Sequence, residues 1–98
     1  MKHKALQTKE VRDLIKLIAG LGTEAETRDF LADLLTENEL LEFSRRWQAA
    51  QLLHSGVPYT EIVEKTGLSS TTVARISKWL QEGAGGYKLA LKRLYQEN

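Results

Sequence analysis

Apolar residues recur at helical spacing along most of the chain, and hydroxyl and glycine residues mark where each helical stretch starts and stops. Val11, Leu14, Ile15, Ile18 and Leu21 share one face of a first helix that opens at Thr8 and is stopped by Gly20 and Gly22. Thr23 then stands three residues before Glu26, the spacing of a capping box, and predicts a second helix through about Leu35 with Phe30, Leu31 and Leu34 on its apolar side. Thr36-Glu37-Asn38-Glu39 repeats the pattern and starts a third helix, which runs to His54 or Ser55 before Gly56. Its apolar residues, Leu40, Leu41, Phe43, Trp47, Ala49, Ala50, Leu52 and Leu53, spread beyond one stripe. A half-wet helix does not tolerate that spread, so this helix is expected to be covered on several sides, partly by a second subunit.

The next stretch carries the most information. Pro58 leads into a short helix at about 59–66, Gly67 follows it, and Ser69 precedes another helix at about 70–81. Gly67 suits a helix end that needs positive φ, and Ser69 suits an N-cap. Ile62, Val63, Val73 and Ile76 are spaced to press the two helices together across Leu68, which leaves the other face of the second helix polar and cationic. That is the pattern of a helix-turn-helix over about 58–81, the motif whose second helix enters the DNA major groove. After Gly83-Ala84-Gly85-Gly86, read as a flexible connector, Leu89, Ala90, Leu91, Leu94 and Tyr95 make a last amphipathic helix with Lys88, Lys92 and Arg93 outside. No period-two alternation bounded by hairpin turns appears. The predicted fold is all-α, with six helices in a single domain spanning 1–98.

Composition narrows the function. The 98 residues are 42% hydrophobic and 28% charged, ordinary for a globular chain, and a domain of this size gains from burying more surface in an oligomer. The absence of cysteine excludes disulfides, thiolate metal sites and cysteine nucleophiles. No apolar run approaches the roughly 20 residues of a membrane span, and the first residues lead into no signal-peptide core, so a cytoplasmic location is expected. The net charge is only +1, but residues 1–43 hold six Lys/Arg against nine Asp/Glu, and residues 44–98 hold eight against four. The basic half contains the helix-turn-helix, as an electrostatic DNA footprint requires.

The candidate DNA-binding residues are Ser69, Ser70, Thr71 and Thr72 at the start of the reading helix, Arg75 and Lys78 farther along it, and Lys65 before the turn. Helix N-terminal hydroxyls and amides bind phosphate or base edges, and arginine contacts guanine or phosphate in bidentate fashion. The alternative for these residues is a capped, solvated surface helix. Arg45 and Arg46 diverge by about 100° on the third helix, so one can face the helix-turn-helix while the other meets solvent or an acidic neighbour such as Glu42. His3 falls in a basic tail expected to be loose and His54 at a helix end, and no acid–base pair or nucleophile accompanies them. No enzymatic activity, metal or cofactor is expected. The glycines at 83–86 lack the lysine–hydroxyl pair of a P-loop, and Trp47 and Trp79 read as core.

Leu34-Leu35-Thr36 before an acidic capping turn, Arg46 ten residues after Thr36, Gly56, and Thr66-Gly67-Leu68-Ser69 through Arg75 together resemble the bacterial Trp repressor family, and within it the YerC/YecD branch. The similarity covers roughly 8–95 and is most specific over 34–80. The resemblance implies an intertwined homodimer of six-helix subunits, dimerised through helices at about 8–55 and 87–95. It also implies that Arg46 and Arg75 correspond to the two arginines that hold the family's tryptophan ligand. The chain departs from that pattern at Ile76, where the family has glycine, and at Trp79, where it has serine. Both add volume where the indole would lie, which speaks against tryptophan as corepressor, and a small-molecule effector is not expected. The resulting expectation is a sequence-specific, homodimeric DNA-binding transcriptional regulator. The alternative is a helical protein-interaction module that keeps the dimer and binds no DNA, through an apolar patch at Trp79, Tyr59 or Tyr87.

Overall fold

The computed structural model describes residues 3–96. Among these residues, six α-helices follow one 3-10 turn at Lys4–Gln7: α1 (Lys9–Ala19), α2 (Glu24–Leu34), α3 (Glu37–His54), α4 (Tyr59–Thr66), α5 (Ser70–Glu82) and α6 (Gly86–Gln96). Among the described residues there is no strand, and no helix is long and apolar enough to cross a membrane. The chain divides into two compact units, one through Leu40 and one from Leu41.

The caps that the hydroxyl spacing predicts account for the helix starts. Thr8 Oγ1 accepts the Val11 amide at 3.3 Å, Thr23 Oγ1 that of Glu26 at 3.1 Å, and Thr36 Oγ1 that of Glu39 at 3.1 Å. At Thr36 the box closes, because Glu39 Oε1 accepts the Thr36 amide at 2.9 Å. At Thr23 the reciprocal bond shifts by one residue, and Glu26 Oε1 accepts from Gly22 instead, at 3.0 Å. The 3-10 turn departs from the expected loose tail: the His3 carbonyl accepts the Leu6 amide, and the Thr8 hydroxyl reaches back to the Ala5 carbonyl at 2.8 Å.

Within the first unit, none of the described residues is buried. Val11, Leu14 and Leu21 of the predicted face are half-buried, whereas Ile15, Leu17, Ile18 and Leu34 are 43–49% exposed.

The second unit has a core. Ala49 and Ala50 of α3, Ile62 of α4, Val73 and Ile76 of α5, and Leu68 between them form one buried cluster, edged by Trp47, Leu52, Leu53, Val57, Val63 and Tyr87. Two consecutive alanines on α3 keep that surface low, so the helix-turn-helix can lie close to it. Gly56, at φ +83°, ends α3: its amide bonds to Leu53 O and that of Val57 to Leu52 O, both at 3.0 Å. This is a Schellman closure, with Val57 and Leu52 both turned to the core. Only Leu91 of α6 is buried, while Leu89, Leu94 and Tyr95 of the same helix are 45–52% exposed.

Candidate nucleic-acid interface

The turn between α4 and α5 is built from three consecutive residues with different tasks. Thr66, 5% exposed, donates its hydroxyl to the Ile62 carbonyl at 2.7 Å and accepts the Leu68 amide at 3.2 Å. Gly67 adopts φ +76°, which side-chain-bearing residues rarely tolerate, and its amide closes α4 on Val63 O at 2.9 Å. Leu68 then plugs into the core between the two helices. Pro58 enters α4 from an extended conformation, and its carbonyl accepts the Ile62 amide at 3.0 Å.

Ser69 caps α5, accepting the Thr72 amide at 3.1 Å while its hydroxyl meets Thr72 Oγ1 at 3.0 Å. Ser69 and Thr72 are therefore engaged with each other, and Thr72 is half-buried. Ser70 and Thr71 are exposed, and their hydroxyls have no intramolecular partner among the described residues. Arg75 and Lys78 are also exposed and take part in no ion pair among the described residues. With about 100° of rotation per residue, Ser70, Thr71, Ala74, Arg75 and Lys78 fall on one side of α5, opposite the fully buried Val73 and Ile76. Ala74 belongs to this face although the motif pattern did not single it out; helical arithmetic on the flanking Ser70 and Lys78 would have found it. Its methyl is small enough to let the helix backbone approach a partner and can contact a thymine methyl. Lys65, by contrast, is paired with Glu61 at 2.9 Å across one turn of α4.

Arg46 meets Glu42 at 3.3 Å, one of the arrangements open to the two adjacent arginines, while Arg45 is exposed. The Arg46 guanidinium also stands 5.9 Å from the centre of the Phe43 ring. Tyr87 stacks on Trp47 with ring centres 6.4 Å apart and planes 11° from parallel. Burial pushes the Tyr87 phenol above its ordinary pKa, and the positive charge of Arg46 partly opposes this. Arg46 and Arg75 share no partner among the described residues. Ile76 is completely buried, and Trp47 and Trp79, expected as core, are half-buried. The glycine stretch after α5 is a shaped turn: a Cβ on Gly83 would lie 2.5 Å from the Trp79 carbonyl oxygen, and Gly85 has φ +92°.

Residues 9–95 match the family model of the Trp repressor protein. The chain belongs to the Trp repressor family. It is 33% identical over 94 residues to the uncharacterized protein YerC of Bacillus subtilis (strain 168), covering 96% of this chain and 90% of that one. Two solved structures are similar throughout. A TrpR-like protein from Eubacterium eligens ATCC 27750 is 34% identical with a TM-score of 0.86, covering 98% of this chain and 99% of that one. A candidate Trp repressor from Staphylococcus aureus is 31% identical with a TM-score of 0.86, covering 100% and 98%. In this member of the family, the first three helices lead to a helix-turn-helix and a final short helix, as the capping and glycine pattern predicts.

Proposed function

We propose that this member of the Trp repressor family is a sequence-specific DNA-binding transcriptional regulator that acts as a homodimer in the cytoplasm, and that it is not an enzyme. One observation carries the reading: α5 offers a single exposed, uncommitted face of Ser70, Thr71, Ala74, Arg75 and Lys78 while Val73 and Ile76 anchor its other side. Ser70, Thr71 and Ala74 meet base edges, and Arg75 and Lys78 meet bases or phosphates. Ser69 and Thr72 support the helix start, where backbone amides favour phosphate. Lys65 contributes to the phosphate field once it exchanges Glu61 for the backbone of the nucleic acid.

The homodimer is supported by the first unit, which has apolar side chains and no buried residue among those described. A chain segment of this kind does not offset its conformational entropy alone, and a second copy supplies the missing contacts. The whole chain then works as one dimeric domain, and two α5 helices about 34–36 Å apart read two half-sites one turn apart. Buried Ile76 and half-buried Trp79 support a motif held by its own packing, without tryptophan bound at Arg46 and Arg75.

Selection from a random double-stranded DNA library, with and without tryptophan, tests this. Enrichment of one palindromic sequence, equal in both arms, is expected. A library that emerges unenriched while the protein remains folded would contradict DNA binding and turn attention to a protein partner.

A further inference from the structure

An open hollow of about 310 Å³ lies among His54 at the end of α3, Leu80 of α5, and Lys88, Leu91 and Lys92 of α6. None of its lining residues belongs to the α5 face described above. The floor is apolar: Leu91 is 3% exposed and Leu80 is half-buried. One wall is the His54 ring, which stacks on Tyr95 with centres 5.0 Å apart and planes 26° from parallel. The rim is cationic, and no acidic residue lines the hollow among the described residues. Lys88 and Lys92 are one helical turn apart, so their like charges repel. Neither forms an ion pair among the described residues, and Lys88 has only a long bond, 3.4 Å, to the Gln81 carbonyl.

We infer that this hollow binds a small amphipathic organic anion, a monocarboxylate with an apolar body. The aliphatic or aromatic body lies on Leu80 and Leu91 beside the His54 ring, and the carboxylate lies between the two ammonium groups, relieving their repulsion. The hollow has room for a small organic molecule. It sits at the small end of ligand pockets. A bare phosphate would waste the apolar floor, and an uncharged apolar side chain from a second copy would leave the paired lysines uncompensated.

The test is an amide-resolved NMR titration of the full chain with 3-phenylpropionate, alongside 3-phenylpropan-1-ol, its uncharged counterpart. The acid is expected to shift the signals of His54, Leu80, Lys88, Leu91 and Lys92 with a dissociation constant of about 1 mM or tighter. The alcohol is expected to bind at least about fivefold more weakly, and the Lys88→Gln/Lys92→Gln double variant to lose a similar factor for the acid. Equal binding of acid and alcohol to the unaltered protein overturns the inference, as do shifts confined to other residues or no shift by about 10 mM. It is equally overturned if the lining signals respond to dilution of the protein and not to the acid, because a second copy then occupies the hollow.

Discussion

Thr66→Val replaces a buried hydroxyl by a methyl of nearly the same size, so it tests the turn between α4 and α5 without opening a cavity. The two bonds lost are unequal. The Ile62 carbonyl that accepts the Thr66 hydroxyl lies inside α4, where the helix ladder already uses it, so that bond is the cheaper loss. The Leu68 amide lies in a buried environment and has no acceptor other than the Thr66 oxygen among the described residues. Leaving a buried donor unpaired costs about 1–3 kcal/mol. A central value of about 2 kcal/mol, with a urea m-value of about 2 kcal/mol per molar, moves the unfolding midpoint down by about 1 M. Thr66→Ser keeps both bonds and loses one methyl, at about 0.8 kcal/mol. Urea titrations of the three proteins at one fixed protein concentration should therefore rank native, Ser, Val. If Val equals or exceeds Ser in stability, the amide is not held by Thr66 and the account of the turn is wrong.

Three further outcomes are expected. Gly83→Ala puts a methyl against the Trp79 carbonyl and should destabilise by about 1–3 kcal/mol in thermal unfolding, whereas an unchanged melting temperature would show that the exit from α5 is free to relax. The Tyr87 phenol has a raised pKa, so its neutral form is favoured by folding; that contribution is intact below the ordinary tyrosine value of about 10 and is lost as pH rises through the folded value. Stability measured against pH should fall on the alkaline side for the native protein, and Tyr87→Phe should flatten this fall; an identical profile in the variant would assign it to other groups. Ile18→Asp, on the exposed apolar face of α1, should convert the proposed dimer to monomer in light scattering and weaken folding by about 2 kcal/mol or more, while an unaltered dimer would place the interface elsewhere.

The helix framework was legible because its signals are local. Thr8, Thr23, Thr36 and Ser69 each cap a helix by accepting the backbone amide three residues on, and Gly56 and Gly67 take the positive φ that their positions after apolar runs require. The 3-10 turn at Lys4–Gln7 was not legible, since a single turn has no periodicity and depends on Thr8 also bonding backward to Ala5. In α6 the pattern marks an apolar side but not which residue is covered: Leu91 is buried and Leu89, Leu94 and Tyr95 are not. For the candidate site, the α5 face follows from helical rotation alone, whereas the surroundings of Arg46 involve Tyr87 from α6, a tertiary relation that no spacing encodes. The engagement of Lys65 by Glu61 was open to an i, i+4 reading.

The central claim is that α5 presents Arg75 and Lys78 to DNA, and the most direct measurement is affinity for a selected sequence across a range of salt concentrations. A linear fall of log K with log salt is predicted for the native protein. Arg75→Ala and Lys78→Ala should each bind more weakly and reduce the slope by about one per lost phosphate contact. Native affinity and native salt dependence in both variants would contradict it.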